Sequence, residues 1–313
     1  MEYDIIIIGG GPAGLTAGIY GAMANKKVLI LEKSYAGGQV AEINNIKNYP
    51  GFEEINGYDL SIKMKNQAKN LGAIFKTEEV VSCNLQEEIK TVITHKNTYS
   101  AKAVIIATGA YAKSLDVKNE KQFLGKGLSY CATCDGNFFK DKVVTVVGGG
   151  NTSMADCLYL SNIAKKIYLV HRRDGFRAQE SSLNKVKSLA SGENAKIEIL
   201  TNYVVTNLIG EEKLQEIEIL NKLSNEKRIL QTDGIFIAIG RKPDTELFAS
   251  QVTLTQDGFI QTNERMQTSL KNVYAVGDVR NTTLRQIVTA CSDGAVAVMD
   301  FIRQNSWVIF NHF

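Results

Sequence analysis

Three histidines and five cysteines are few in a chain of 313 residues, and their placement excludes more than their number does. A zinc site needs about four ligands, whereas Cys83, Cys157 and Cys291 stand singly apart from the one close pair, Cys131 and Cys134. No metal site is expected. The cysteine count is odd and the spacings form no secreted framework, so a bridge here would serve chemistry rather than stapling. Charge of one sign is scarce as well. A net charge of +3, with no Lys/Arg run beyond a short cluster from residue 172, offers nucleic acid no binding stripe. Long apolar runs are missing too: nothing approaches the roughly 20 residues that span a bilayer. Met1-Glu2-Tyr3-Asp4 puts no basic region ahead of the first apolar run, so no leader and no membrane are expected, and a cytoplasmic setting is. The remaining composition, 44% hydrophobic and 22% charged, is that of a globular enzyme, with length enough for two domains.

What the chain does contain is one internal repeat. Residues 4–32 read as a strand (Ile5–Ile8), the run Gly9-Gly10-Gly11-Pro12-Ala13-Gly14, a helix, and a second strand (Val28–Leu31) ending at Glu32. Residues 143–171 repeat this without a gap: Val143–Val147, Gly148-Gly149-Gly150-Asn151-Thr152-Ser153, a helix, Ile167–Val170, then His171. Each copy is a βαβ unit whose glycines permit a tight turn and let the backbone approach a pyrophosphate at a helix N-terminus. A lone G-x-G-x-x-G is a weak signal, but here each copy follows an apolar strand and opens a helix. Two bound dinucleotides are expected, one on Gly9, Gly11, Pro12, Ala13 and Gly14, the other on Gly148, Gly150, Asn151, Thr152 and Ser153. Ser153 stands where a third Gly or Ala is usual, and its extra atoms are expected to loosen helix–strand packing without abolishing binding.

The residue after the second strand separates the two sites. Glu32 lies about 20 residues beyond the glycines, where a carboxylate accepts hydrogen bonds from a ribose with a free 2′-hydroxyl. That suits FAD. In the second copy the same position is His171, followed by Arg172, Arg173 and Arg177. Guanidinium groups bind a 2′-phosphate through charge-assisted, often bidentate hydrogen bonds, so NADPH is expected there rather than NADH.

Cys131-Ala132-Thr133-Cys134-Asp135-Gly136 precedes the second glycine run. Its two sulfurs are close enough to cycle between dithiol and disulfide, and their reactivity depends on how readily each becomes a thiolate. Cys83, Cys157 and Cys291 lie in apolar strand or helix surroundings and read as buried thiols.

Taken together, these motifs resemble those of the low-molecular-weight, bacterial-type thioredoxin reductases, class II of the pyridine nucleotide-disulfide oxidoreductases, from the first strand to about residue 303. The resemblance extends to Gly37-Gly38-Gln39, Asn48-Tyr49-Pro50-Gly51, Ala107-Thr108-Gly109, Ala238-Ile239-Gly240, and Gly277-Asp278 followed by Arg285-Gln286. It implies an α/β chain of two Rossmann-like, three-layer ββα domains. FAD would occupy residues 1–112 with 245–313, and NADPH the inserted 113–244, the paired connectors acting as a swivel. It implies further FAD contacts at Gly38, Gln39, Asn48, Val80, Gly109, Gly277, Asp278, Arg285, Gln286 and Ile287, the last a departure from the family's small residue. Ile239 and Gly240 would complete the NADPH side.

The activity implied is that of an NADPH-dependent thioredoxin-disulfide reductase. Hydride passes from NADPH to FAD, electrons then to the Cys131–Cys134 disulfide, and dithiol exchange with thioredoxin follows, aided by domain rotation. By resemblance, Cys134 faces the flavin, Cys131 attacks the partner disulfide, Asp135 is the general acid/base, Lys126 helps dock thioredoxin, and the chain is a homodimer. Ferredoxin/flavodoxin–NADP reductases share both nucleotide sites but lack the cysteine pair. The reductases of peroxiredoxin systems carry an additional redox module ahead of the FAD strand. The apolar Trp307-Val308-Ile309-Phe310 would cover the FAD domain or a dimer surface.

Overall fold

The computed structural model describes residues 2–193 and 195–305. The chain divides into two compact units, one holding the chain up to Tyr111 and again from Lys242, the other Ala112–Arg241.

In the first unit, strand β1 (Glu2–Ile8), helix α1 (Pro12–Met23) and strand β2 (Val28–Glu32) form the first βαβ turn. β1 pairs in parallel with β2, Ile5 beside Val28 and Ile8 beside Leu31, and on its other edge with Thr98–Ile106. A strand flanked on both edges and covered on both faces has no solvent side, which is why Ile5-Ile6-Ile7-Ile8 is apolar without interruption. Ile5 and Ile7 pack with Leu15 and Ala17 of α1 and with Phe301 of the long helix Ile287–Asn305. Ile6 and Ile8 face a second cluster with Val80, Val92, Tyr99 and Phe248. Thr98–Ile106 has two partners beyond β1: its first residues run antiparallel to Lys90–Thr94, and Val104–Ile106 run parallel to Val273–Ala275.

The second unit repeats this plan. Its parallel sheet runs Ile197–Thr201, Lys166–His171, Val143–Val147, Gly234–Ile237, Leu128–Ser129. Val144, Val146 and Phe236 face the helical side, with Met154, Cys157, Leu160 and Val186. Val147, Ile235 and Ile237 face Val205, Leu208 and Ile217 of a three-stranded antiparallel sheet. Each unit therefore covers one face of its parallel strands with helices and packs antiparallel strands against the other, and each places a glycine turn at the carboxyl end of the strand that opens its βαβ repeat.

The chain crosses between the units through a two-stranded ribbon, Ala110–Ala112 paired with Arg241–Pro243. The part of this crossing that belongs to the first unit is tied down. Gln39 Nε2 donates to the Ala110 carbonyl (2.6 Å) and Thr108 Oγ1 to the Asp244 carbonyl (2.6 Å). Lys33 Nζ donates to the Tyr111 hydroxyl (2.9 Å) and to Asp244 Oδ2 (3.2 Å), which also accepts from Tyr111 (2.9 Å).

One expectation changes. Cys157 is fully buried, but Cys83 and Cys291 are half-buried. Cys83 lies on Val80–Asn84, the outermost strand of its sheet, and Cys291 in the first turns of the long helix, so each keeps one open side. Ser153 is fully buried, and its hydroxyl donates to the Gly150 carbonyl (2.8 Å). Trp307-Val308-Ile309-Phe310 lies outside the described residues. Among the described residues no helix is long and apolar enough to cross a membrane.

Candidate functional site: two glycine turns and a dithiol

The first turn is shaped by close backbone approaches. Gly9 has φ +112°, and a Cβ there would lie 2.3 Å from the Ala107 carbonyl oxygen. A Cβ on Gly14 would lie 2.0 Å from the Gly9 oxygen, so only glycine lets α1 start this close to β1. Gly11 caps α1 without a side-chain hydrogen bond, Pro12 fills the first helical position, and the first turn carries no acid. A Cβ on Gly11 would meet nothing nearer than 4.0 Å, the Gly37 oxygen. The helix thus presents uncapped N–H groups and the positive end of its dipole to an open space, the physical requirement for a phosphate.

Glu32 closes this turn. It is buried, its Oε2 accepts from the Gly10 N–H (2.6 Å) and its Oε1 from the Ser34 N–H (3.0 Å). A carboxylate has about four acceptor positions, so Oε2 retains capacity for a hydroxyl. Gly38 is stacked over the turn, its absent Cβ 3.9 Å from Gly11 Cα. Gly277, at φ +72°, abuts Ala13, where a Cβ would come within 3.0 Å, and its N–H donates to Asp293 Oδ2 (3.0 Å). Asp278 follows it in a short 3₁₀ turn. Ala13 is the meeting point, since the long helix also crosses it at Gly294, whose Cβ would lie 2.2 Å from the Ala13 oxygen.

Asn48 and Gln286, far apart in sequence, are joined by a hydrogen bond from Asn48 Nδ2 to Gln286 Oε1 (2.9 Å). Arg285 is spent differently. Its guanidinium donates to the carbonyls of Thr282 (3.2 Å) and Arg280 (3.4 Å) and lies 4.4 Å from the centre of the Phe259 ring. Ile287 packs against the helical cluster that contains Ala13, whereas Val80 packs into the cluster on the opposite face of the sheet. Gly109, at φ +77°, accepts from the Asp244 N–H (3.1 Å).

The second turn repeats the first closely. The Gly148 N–H donates to Val170 (3.0 Å), as Gly9 does to Leu31 (2.8 Å). A Cβ on Gly148 would lie 2.3 Å from the Ala238 oxygen. Gly150 caps the helix Asn151–Leu160 without a side-chain bond, and space around it is open. Asn151 accepts from the Gln179 N–H (2.7 Å), and Thr152 is exposed.

His171 lies against Gly149, where a Cβ would fall 2.2 Å from its ring, and stacks on Phe176 with centroids 4.8 Å apart. Burial, reinforced by Arg172, Arg173 and Arg177, pushes its pKa below the usual histidine value, so the ring is neutral at pH 7. Arg172, Arg173 and Arg177 are exposed, and none is ion-paired among the described residues. The Arg177 N–H donates to the Gly149 carbonyl (2.8 Å), which ties this basic loop to the glycine turn. Ile239 and Gly240 follow the strand Gly234–Ile237 and are exposed.

Cys131 and Cys134 are joined in a disulfide, with Cα atoms 5.3 Å apart. The pair opens the helical turn Ala132–Asp135, and Cys131 Sγ accepts from the Cys134 N–H (3.2 Å). Burial raises the Asp135 pKa above the usual carboxylate value, while the bond from Ser129 acts in the opposite sense. Lys126 is exposed, its own peptide groups tied to Phe123 and Leu214.

Three positions escaped sequence reasoning. Ser129 bonds Asp135, Glu120 accepts from the Tyr130 hydroxyl (2.5 Å) next to Cys131, and Asp293 holds Gly277 while pairing with Arg280 (3.4 Å). Only Ser129 carried a signal, a hydroxyl two residues before the dithiol.

Residues 3–294 match the family described as pyridine nucleotide-disulphide oxidoreductase. The chain is 41% identical over 296 residues to a thioredoxin reductase of Bacillus subtilis, covering 94% of this chain and 92% of the relative. It is similar in structure to the thioredoxin reductase of Streptococcus pyogenes (TM-score 0.88, 36% identity, 96% of this chain and 97% of that one). A thioredoxin reductase from Giardia duodenalis is also similar (TM-score 0.90, 34% identity, 96% and 98%).

Proposed function

The chain belongs to the pyridine nucleotide-disulphide oxidoreductase family, and from that premise we propose that it is an NADPH-dependent thioredoxin-disulfide reductase. The observation that carries this reading is the Cys131–Cys134 disulfide at the head of a helical turn, with Asp135 directly after it. FAD and NADPH, when bound, supply the hydride and electron pair that open this bond. The uncapped amides of α1, the open space at Gly11 and the buried Glu32 fit FAD. The open space at Gly150 and the exposed Arg172, Arg173 and Arg177 fit NADPH.

The chain's own residues then divide the work. The Cys131 thiolate attacks a sulfur of the partner disulfide, forming a mixed disulfide and expelling a partner thiolate, which takes up the proton carried by Asp135. The Cys134 thiolate next attacks Cys131 Sγ, which restores the Cys131–Cys134 bond and releases the second partner sulfur. Burial keeps the Asp135 proton available closer to neutrality than on a solvated carboxyl. A thioredoxin-like partner, Lys126 as a docking contact, a homodimer and a cytoplasmic setting belong to the same reading, carried by the resemblance.

The direct test is spectroscopic. NADPH should bleach the yellow colour of the purified protein, and oxidised thioredoxin should restore it; a colour that thioredoxin never restores refutes the reading. Replacing Arg172, Arg173 and Arg177 by Ala should raise KM for NADPH about 10–100-fold, or ~1.4–2.7 kcal/mol. KM for NADH and kcat should stay within about twofold. Equal losses with both nucleotides would remove the phosphate assignment.

A further inference from the structure

We propose that Ser129 is the positioning residue for the proton carrier of the dithiol, and this rests on the reading of Asp135 just given. The Ser129 hydroxyl sits at the centre of three contacts. It accepts from the Cys131 N–H (3.0 Å), donates to Asp135 Oδ2 (2.6 Å), and lies 3.3 Å from the Cys131 carbonyl oxygen. Ser129 is 4% exposed, at the end of the sheet strand Leu128–Ser129. Of its two acceptors the carboxylate is much the nearer and is charged, so the hydroxyl proton points to Asp135 rather than to the Cys131 carbonyl. The carboxylate that follows Cys134 is thereby fixed relative to the backbone of Cys131, through one side chain anchored in the sheet.

The segment is anchored a second time beside this contact. The Tyr130 hydroxyl donates to Glu120 Oε1 (2.5 Å), and Glu120 in turn accepts from the Leu115 N–H (2.9 Å) and the Ser114 hydroxyl (2.8 Å). The two residues preceding Cys131 therefore have separate tasks: Tyr130 fastens the loop, and Ser129 reaches the carboxylate. A hydrogen bond to an ionised group favours the ionised form. Removing the hydroxyl leaves the burial of Asp135 unopposed, so its proton is held to higher pH.

Other titratable groups near the turn are few. The 3₁₀ segment Gly136–Phe139 has none, and the helix Asn151–Leu160 packed against the turn brings Asp156, Cys157 and Tyr159. Burial drives the Cys157 thiol up and the Asp156 carboxyl to about 7. Asp156 is therefore the group whose titration has to be separated from that of Asp135, and an Asp135→Asn background does so.

The experiment follows the pH dependence of two rates, thioredoxin reduction by the holoenzyme and alkylation of Cys131 in dithiol-reduced holoenzyme without NADPH. Ser129→Ala should displace the Asp135-dependent inflection upward by about one pH unit. Ser129→Thr should restore it, and Ser129→Ala should cause no further displacement in an Asp135→Asn background. If Ser129→Ala does not fold, Ser129→Gly, which equally removes the hydroxyl, takes its place with the same expected displacement. Coincident profiles for parent and variant would overturn the proposal, as would equal displacement with and without Asp135. A displaced alkylation profile in a protein that never reduces thioredoxin would support the Ser129 assignment while refuting the proposed function.

Discussion

Cys134→Ser should retain bleaching by NADPH and lose disulfide turnover by on the order of 10³-fold or more. Cys134 alone is bonded to Cys131, so without it a mixed disulfide formed on Cys131 has no internal thiol to resolve it. The partner should accumulate covalently on Cys131, visible as added mass that a reductant removes. The remaining thiols do not substitute: Cys157 is fully buried, and burial also raises the thiol pKa values of Cys83 and Cys291. Thermal stability should change little, because Ser is nearly isosteric and the bridge closes a loop too short to hold much chain entropy. Undiminished turnover in Cys134→Ser would take the dithiol out of the mechanism.

Gly14→Ala and Gly11→Ala should fail in different ways although they lie in one turn. At Gly14 the new Cβ meets the Gly9 oxygen at 2.0 Å and Ile7 Cγ2 at 3.1 Å. The first of these is backbone of the turn directly after β1, a strand buried between two neighbours, so relief requires moving α1 off β1 and, with it, the contact that Gly294 makes at Ala13. We expect a loss of about 3 kcal/mol or more, at the upper end of overpacking effects, and a clear fall in Tm of the flavin-free protein. At Gly11 φ is −75° and the nearest atom is 4.0 Å away, so Ala is accommodated within about 0.5 kcal/mol. What it occupies is the space assigned to the pyrophosphate. Purified Gly11→Ala should therefore unfold like the parent when stripped of flavin, yet carry little flavin as isolated. Full flavin content in that variant would place the pyrophosphate elsewhere.

The features legible in the sequence were those that the backbone imposes locally. Ile5–Ile8 is apolar throughout, and Val143–Val147 is apolar except for Thr145, whose buried hydroxyl donates to Thr232 Oγ1 (3.1 Å), because both faces of each strand are covered. Gly9, Gly14 and Gly148 are required because a Cβ at each would fall 2.0–2.3 Å from a backbone oxygen. Such demands fall on fixed positions a few residues apart, so a repeat of pattern signals a repeat of fold. The contrast between Glu32 and His171 was legible for the same reason of register. Partners chosen by tertiary contact were not. Nothing in the spacing of Ser129 says that its hydroxyl turns toward Asp135, nor does the interior of an apolar helix announce that Asp293 holds Gly277. The motifs contained both Asn48 and Gln286, but their mutual bond depends on the path of the long helix.

The carbonyl that walls each glycine turn also begins the route out of its unit. Ala107 leads through Gly109 into Ala110–Ala112, and Ala238 leads through Gly240 into Arg241–Pro243. Each strand of the ribbon is thus rooted in the peptide against which the first glycine of a turn packs, so loading either turn should quieten the strand that grows from it. Amide exchange at Ala110–Ala112 should slow when flavin is restored to the stripped protein, a mechanical kinship between cofactor and connector that needs no dedicated residue.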